Sequence, residues 1–314
     1  MRIVVALADD AMARMTEPTT VEGQRAAVAA ACASLAPIAE VHELVIAHGR
    51  GPQAELLSLP TAPYDASSAQ PFEPGRALAE GQVSYLLEQE LGNLLPAEAP
   101  LATVLTMIEV DPDDVAFTTP TAVVGPVYTA GPAHRITEQR GWAFHQDGNA
   151  WRRVVPAPQP RRILEIRPVE WLLARGCVVI CAVGGSTPTV HQPGTHTLVS
   201  VEAVVDVDRA SAVQAQDLGA DLLVIAGDTG AVRLDPGTPE ERAIVRAHPD
   251  ALDPDLVPAG PTAQKVRAAA SFARASGRPA VIGCLEQLAA MVAGGGGTRI
   301  SVKTDGVETR AGSR

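Results

Sequence analysis

Aromatic residues are scarce in this chain, where they make up 3% of the 314 residues. With so few aromatic side chains, the hydrophobic core must be built mainly from Ala, Val, Leu and Ile. Such a core suits parallel strands that are buried on both faces and covered by alanine-rich helices. The composition therefore favours an α/β fold.

Positive charge is also limited, since 25 Lys and Arg residues stand against 36 Asp and Glu residues and leave a formal net charge of −11. A protein that binds nucleic acid needs clustered Lys and Arg to neutralise phosphates, and the sequence contains no such cluster. We therefore expect no nucleic-acid partner.

Long apolar runs and a secretory leader are missing as well. No segment approaches the ~20 apolar residues that span a bilayer. The chain passes at once into a strand-like run at residues 3–7, without the layout of a signal peptide. We expect no membrane association and a cytoplasmic location.

The cysteines do not form the pattern of a disulfide framework or a metal site. Cys32, Cys177, Cys181 and Cys284 include no CxxC pair. We expect all four to be free thiols that pack as small hydrophobic side chains.

Strand-like and helix-like segments alternate along the chain. Apolar runs predict strands at residues 3–7, 44–47, 102–110, 178–182, 222–226, 280–283 and 298–302. The stretches between them predict helices at residues 21–35, 53–59, 77–91, 209–218, 263–276 and 285–292. Strands separated by helices indicate βαβ units and a largely parallel sheet.

One region breaks this alternation. Residues 111–160 are rich in Pro and Gly and contain short β-like runs, two of which flank Asp147-Gly148-Asn149. An Asp-Gly pair between such runs is a hairpin signal. We predict a small β-rich excursion from the main sheet.

A glycine-containing loop follows the strand predicted at residues 44–47. Gly49 and Gly51 can adopt φ > 0 and place no Cβ between the backbone and a ligand. Pro52 suits the first turn of a following helix. A strand that enters such a turn can aim backbone N–H groups at an anion, so this loop is a candidate phosphate-binding segment.

Eight segments together resemble the carbamate kinases in order and spacing. They are His48–Gln53, Glu109–Pro112, Gly125-Pro126, Trp151–Pro156, Val201–Asp206, Leu218–Asp221, the helix that carries Lys265, and Gly283–Glu286. The resemblance covers nearly the whole chain and implies one amino-acid-kinase domain over residues 1–314. Such a domain is an αβα three-layer sandwich around a mainly parallel sheet, with a protruding β-rich subdomain.

The resemblance implies two lobes, a reaction and partners. Residues 1–205 would bind the acid and include the protruding subdomain at about 112–160, and residues 206–314 would bind the nucleotide. The implied reaction is ATP + carbamate ⇌ ADP + carbamoyl phosphate with Mg²⁺, carried out by a homodimer. Phosphoryl transfer requires positioning, positive charge and N–H donors around the transferred group.

Two charged positions match the family's catalytic positions. Lys265 lies near the start of a predicted helix and would contact phosphate and nucleotide. Asp208 would orient Lys265 or a metal, or it is simply the N-cap of the helix that follows it. Asp228, in the segment that normally contacts nucleotide, is a further nucleotide-binding candidate.

The remaining candidates lie on the acid side. They are Gly49, Arg50, Gly51, Gly184, Gly185, Ser186, Asp10 and Arg152. The turn at residues 184–186 either donates N–H groups to an oxyanion or is a plain tight turn. Arg50 would clamp a phosphate or carboxylate with its forked guanidinium. One of Arg152 and Arg153 reaches the substrate mouth, or both lie on a solvated hairpin face.

The sequence departs from the family where it expects glycines and lysines. The segment after the first strand reads Ala8-Asp9-Asp10 instead of Gly-Gly-Asn, and Ala122 and Val207 occupy two lysine positions. Asp9 and Asp10 either hold a cation such as Mg²⁺ or mark a lost phosphate loop. Three alternatives follow: a kinase of the family reaction, a noncatalytic binding, regulatory or partner subunit, or a crevice repurposed for another carbamoyl or acyl ligand without ATP.

Overall fold

The computed structural model describes residues 1–8, 11, 20–49, 72–252, 257 and 260–311. Its strands are β1 (Arg2–Leu7), β2 (Glu43–His48), β3 (Leu101–Val110), β4 (Ala122–Tyr128), β5 (Ala143–Asp147), β6 (Ala150–Val155), β7 (Pro160–Ile163), β8 (Val178–His191), β9 (Leu198–Ser200), β10 (Leu222–Gly227), β11 (Arg233–Leu234), β12 (Arg242–Ala247), β13 (Ala280–Cys284), β14 (Thr298–Ile300) and β15 (Val307–Ala311). Its α-helices are α1 (Val21–Ala39), α2 (Phe72–Leu94), α3 (Ala130–Arg140), α4 (Ile166–Leu173), α5 (Val207–Asp217), α6 (Pro261–Ser276) and α7 (Leu288–Val292).

The main sheet has the strand order β11-β12-β14-β13-β10-β1-β2-β8-β3-β7 in the described part of the chain. Its centre, from β13 to β3, is parallel throughout. The predicted strands at residues 3–7, 44–47, 102–110, 222–226 and 280–283 are all confirmed and all lie in this centre.

Helices cover both faces of the sheet, because successive residues of each central strand point to opposite sides. Val4 and Val45 pack toward α4, α5 and α6, whereas Ile3 and Leu44 pack toward α1, α2 and α7. These four side chains are fully buried. The αβα three-layer architecture is therefore confirmed.

A separate three-stranded sheet, β4-β6-β5, lies within the region predicted to be β-rich. The β5–β6 hairpin turns at Gly148, whose φ is 58°, so the hairpin signal is confirmed. The sequence prediction missed α3, which lies between β4 and β5. Its first turn contains Gly131 and Pro132, which resemble turn residues although proline is tolerated in a first helical turn.

Several elements of the main domain were also not predicted. Helix α4 and the strands β12 and β15 are short, and β12 contains two arginines, Arg242 and Arg246, among apolar residues. β15 pairs antiparallel to β12, and β14 pairs antiparallel to β13. The helix predicted at residues 53–59 lies outside the described residues. Among the helices that are described, none has the length and apolar character needed to cross a bilayer.

The four cysteines are free thiols, as predicted. Cys32 and Cys181 are buried, and desolvation raises the pKa of each thiol to about 12. Cys177 and Cys284 are half-buried, and Cys177 packs against the core as a partly buried side chain. Both of them lie at strand boundaries, next to β8 and at the end of β13, where the core meets a loop.

Candidate active site

The carboxyl ends of β1, β2 and β10 lie at one level along the carboxyl edge of the sheet, beside Ala182 in the middle of β8. Leu7 pairs with His48 on one side and Ala226 on the other, and His48 pairs with Ala182. The segments that follow β1, β2 and β10 therefore meet at this edge, together with the part of β8 that follows Ala182. In open α/β sheets, a ligand binds in the crevice outside the carboxyl ends of the strands.

Gly49 leaves β2 at the crevice and is held by a buried histidine. The Nδ1 atom of His48 lies 2.7 Å from the carbonyl oxygen of Gly49, and its Nε2 atom lies 2.8 Å from Oγ of Ser84 on α2. Because a carbonyl oxygen can only accept, Nδ1 carries the hydrogen. His48 is fully buried, so the first peptide of the predicted loop is anchored to the protein interior.

Asp10, Arg50 and Gly51 lie outside the described residues, as does Asp9. Their predicted roles remain predictions.

The segment Gly184-Gly185-Ser186 is a bulge inside β8. Leu105 of β3 pairs with Ala182, and Met107 pairs with Thr187, so residues 183–186 face the single residue Thr106. The Oγ1 atom of Thr106 donates to the carbonyl oxygen of Ala182 at 2.6 Å. The plain tight turn was therefore wrong, because β8 continues past the glycines to His191. The bulge takes backbone N–H groups out of the ladder with β3, at the crevice edge.

Lys265 and Asp208 form a buried ion pair between α5 and α6. The Nζ atom of Lys265 lies 3.3 Å from Oδ2 of Asp208, and the side chains are 6% and 4% exposed. The helix α5 begins at Val207, and its N-cap is Asp206, which accepts from the N–H of Arg209. The alternative that Asp208 caps this helix is therefore wrong: its side chain is turned inward to the lysine instead.

Both members of this pair lie toward the carboxyl edge. The C-terminal end of α5 lies at the amino edge, because the carbonyl oxygen of Leu218 accepts from Nη1 of Arg2 at the start of β1. Asp208, ten residues earlier, is about 15 Å away along the helix. Lys265 is one of two lysines in the whole chain, with Lys303. One of the few ammonium groups that this sequence has is thus buried at the crevice.

The remaining candidates are less closely grouped. Asp228 follows β10 at the carboxyl edge and is exposed. Arg152 lies on β6 in the small sheet, where its Nη2 atom donates to the carbonyl oxygen of Gly125 at 3.3 Å. Arg153 is 7% exposed and contacts Glu202, with its guanidinium 3.5 Å from the ring centroid of Trp142. The solvated hairpin face was therefore wrong for Arg153.

A buried polar stripe on α2 was not predicted. Arg76, Glu80 and Ser84 follow one another at intervals of four residues, and they are 4%, 0% and 1% exposed. Residues four apart in a helix share a face. The sequence carried a signal for this stripe. Arg76 and Glu80 lie seven residues, about two helical turns, before the apolar residues Val83 and Leu87. The two charged residues therefore fall on the apolar face of an otherwise ordinary amphipathic helix.

Comparison with known proteins places this geometry in a family. The model of the amino acid kinase family matches residues 1–284. The carbamate kinase of Rhizobium meliloti strain 1021 is 50% identical over 302 residues, which are 96% of this chain and 93% of that protein. The carbamate kinase of Haemophilus influenzae is 47% identical over 307 residues, which are 98% of this chain and 99% of that protein.

Solved structures agree with the sequence relatives. The carbamate kinase from Giardia lamblia bound to AMP-PNP superposes with a TM-score of 0.89 at 31% identity, covering 96% of this chain and 98% of that one. The chain therefore belongs to the amino acid kinase family. Within that family it falls among the carbamate kinases and is a carbamate kinase-like protein.

Proposed function

We propose that this chain transfers a phosphoryl group between carbamoyl phosphate and ADP, in the reaction ATP + carbamate ⇌ ADP + carbamoyl phosphate. The observation that carries the proposal is the buried pair of Lys265 and Asp208 at the carboxyl edge of the sheet. Near full-length similarity to carbamate kinases supports the same reaction.

The crevice contains the kinds of group that phosphoryl transfer requires. The ammonium group of Lys265 would stabilise the charge on the transferred phosphoryl group, and Asp208 would hold the ammonium in place. The backbone of the β8 bulge would supply N–H donors, and Gly49 would let the acid approach the end of β2. None of these roles requires covalent chemistry from the protein, since the reaction depends on positioning and electrostatics.

We propose ATP and ADP as the nucleotide partners, on the side of the sheet that carries α5 and α6. The Giardia relative binds AMP-PNP. Lys265 would contact the phosphates of the nucleotide, and Asp228 would lie at the opening of the crevice. Mg²⁺ would arrive with the nucleotide, because this ion usually binds through substrate phosphates and one or two carboxylates. The lobe assignment, 1–205 for the acid and 206–314 for the nucleotide, is part of this proposal, as is a cytoplasmic location.

We also propose that the chain forms a homodimer through α2 and β3. Leu78 and Tyr85 on α2 are 60% and 59% exposed, and Leu105 on β3 is 50% exposed. Of β3, only Ile108–Val110 pair with β7, so the first half of this strand presents an open edge in the described part of the chain. Exposed apolar side chains beside an open edge suit a protein interface. A Tyr85→Asp/Leu105→Asp variant should have half the mass of the wild type in light scattering.

The substituted lysine positions motivate a second candidate. Ala122 begins β4 and Val207 begins α5, so neither position supplies a cation. A chain that binds carbamoyl phosphate or nucleotide without turnover would fit these substitutions. The same assay decides between the two candidates.

The test is ATP formation from ADP, Mg²⁺ and carbamoyl phosphate by the purified chain. A Lys265→Ala variant that remains folded is the matched control. Turnover that disappears in the variant supports the kinase. Turnover no greater than that of the variant would overturn it and favour the binding protein or the repurposed crevice.

A further inference from the structure

A groove lies between α5 and α6, beside the start of β7. Its volume is about 300 Å³, at the lower end of the range for small-molecule sites. Arg209 and Gln216 line it from α5, Arg267 and Ser271 line it from α6, and Gln159 lines it from the segment before β7. A small molecule in this groove would contact three separate parts of the chain.

The polar groups of the groove are open to solvent. Ala210 and Ala215 of α5 pack into the core, whereas Arg209 and Gln216, two helical turns apart, lie on the opposite side of this helix. Arg209 is half-buried, and Gln216 and Arg267 are exposed. The groove is therefore accessible from outside, on the side of α5 that faces away from the sheet.

The floor of the groove is apolar. Ala212, Ala268 and Phe272 line it and are 6%, 2% and 1% exposed. An apolar floor with a few polar groups at the rim is the usual composition of a small-molecule site. The groove thus suits a molecule that has an apolar body and a polar or charged substituent.

Two arginines give the groove its charge. Arginines elsewhere in this acidic chain are commonly paired with carboxylates, as Arg2 is with Glu43 and Arg274 is with Asp250. Among the described residues, neither Arg209 nor Arg267 forms an ion pair. Two guanidinium groups thus face one groove from opposite sides without a carboxylate in contact.

One carboxylate lies near Arg209 without contacting it. The pKa of Asp114 is lowered mainly by hydrogen bonds from the N–H groups of Ala116 and Gln159, and the charge of Arg209 contributes less. Both of these bonds are 2.9 Å long and hold Asp114 to its own part of the chain. The guanidinium donors of Arg209 are therefore not used by this carboxylate.

A phosphate monoester has the chemistry that matches this arrangement. It carries nearly two negative charges at neutral pH and three strong acceptor oxygens. Two arginines supply two positive charges, and each presents a planar fork of donors that fits phosphate. The organic part of the ester would lie against Phe272 and the two alanines of the floor.

We propose that the groove between α5 and α6 is a binding site for a small organic phosphate monoester, held by Arg209 and Arg267 and packed against Phe272. The site is separate from the crevice, because Asp208 and Lys265 are turned inward on the same two helices. A bound ester would link these helices from outside. The inference goes beyond the proposed function and does not rest on it.

The experiment uses phenyl phosphate as the probe, because it joins a phosphate monoester to an apolar ring. Inorganic phosphate and phenol are the control probes, since each supplies one half of that chemistry. The affinity of the full chain for each probe is measured by isothermal titration calorimetry. Phenyl phosphate should bind more tightly than either half.

Variants of the two arginines locate the bound probe. Arg209→Gln and Arg267→Gln should each weaken phenyl phosphate by about 10- to 150-fold, the usual effect of one lost hydrogen bond to a charged group. Ser271→Trp, which fills the groove and keeps both arginines, should abolish binding. Arg274→Gln is the matched control, because Arg274 lies on α6 but pairs with Asp250, and it should bind like the wild type.

Two results would overturn the inference. One is the absence of binding when the wild type is titrated with millimolar phenyl phosphate. The other is wild-type affinity in both Arg209→Gln and Arg267→Gln, which would place the probe elsewhere, for example in the crevice. Neither result bears on the proposed function, which the ATP assay with Lys265→Ala tests separately.

Discussion

The helices on the two faces of the sheet carry their buried charges in different ways. On one face, Asp208 and Lys265 come from separate helices and contact each other at 3.3 Å. On the other, Arg76 and Glu80 come from the single helix α2, one turn apart. Family motifs mark the first pair, whereas only burial and helix register mark the second. Similarity to a family thus marks the pair between α5 and α6, and packing marks the buried charges on α2.

The largest expected effect comes from breaking the pair between α5 and α6. Lys265→Met should lower ATP formation by about 10²–10³-fold, the usual cost of one lost transition-state donor. It should also lower the free energy of unfolding by up to about 3–5 kcal/mol, because Asp208 is left as a buried charge without its ammonium partner. Steady-state kinetics and urea unfolding measure the two effects.

A double variant separates the effect of Lys265 on the charge of Asp208 from its effect on the reaction. Lys265→Met/Asp208→Asn should regain much of the lost stability, since no isolated charge remains buried, but it should stay inactive. Recovery of activity in the double variant would show that Lys265 acts only by neutralising Asp208.

The second-largest effect is expected from His48, which connects the end of β2 to α2 through Ser84. His48→Leu removes hydrogen bonds to Gly49 and Ser84 and leaves both groups buried. We expect a loss of about 2–6 kcal/mol in unfolding free energy, from roughly 1–3 kcal/mol for each unsatisfied group. Ser84→Ala, which removes one hydroxyl, should cost clearly less. Equal losses in the two variants would show that the bond to Gly49 contributes nothing.

A smaller effect is expected from Glu165, which precedes α4 on the face of the sheet that carries α5 and α6. Burial raises the pKa of this carboxyl group, more than the hydrogen bond from the N–H of Met107 lowers it. A carboxyl group with a higher pKa in the folded chain favours folding when protonated. Stability therefore falls as pH rises from the unfolded pKa through the folded one.

A Glu165→Gln variant tests whether ionisation of this carboxyl group lowers the stability of the folded chain. The amide keeps an oxygen for the N–H of Met107 but cannot ionise. The variant should be more stable than the wild type in urea unfolding at neutral pH, and the difference should vanish below the ordinary glutamate pKa of about 4.3. A variant less stable than the wild type at neutral pH would contradict the expected sign.

The smallest effect is expected from restoring the family's lysines. If the crevice already holds enough positive charge, Ala122→Lys and Val207→Lys should change turnover far less than the about 10²–10³-fold contributed by a needed donor. Rate measurements on each variant check this. A large gain in turnover would mean that the crevice does not compensate for the missing lysines.

The fold was largely predictable because its centre follows simple periodicity. A continuous apolar run such as Leu222–Gly227 has no polar side to expose to water, so it is typical of a strand that is buried on both faces. The β8 bulge was not predictable in detail, because its geometry depends on how the pairing of β3 with β8 shifts at Thr106, and Ala182 lies 76 residues further along the chain. Short elements such as α3 and β12 show too little hydrophobic periodicity to be distinguished from loops.

The candidate site was predictable where charge and helix position coincide, as at Lys265. The contact with Asp208 follows from how α5 and α6 pack, which local sequence does not determine. The burial of Arg76 and Glu80 depends on how α2 packs against the sheet, where it contacts His48 and Thr103. Tertiary packing, rather than motif, determines where these buried charges lie.

The central claim is that the carboxyl edge of the sheet is a phosphoryl-transfer crevice in which Lys265 contacts phosphate. The most direct measurement is a crystal structure of the chain with AMP-PNP and Mg²⁺. The account predicts that phosphate oxygens lie within about 4 Å of Nζ of Lys265, the range of an ion pair, beside the β8 bulge at residues 184–186. A nucleotide whose phosphates lie away from both would contradict it.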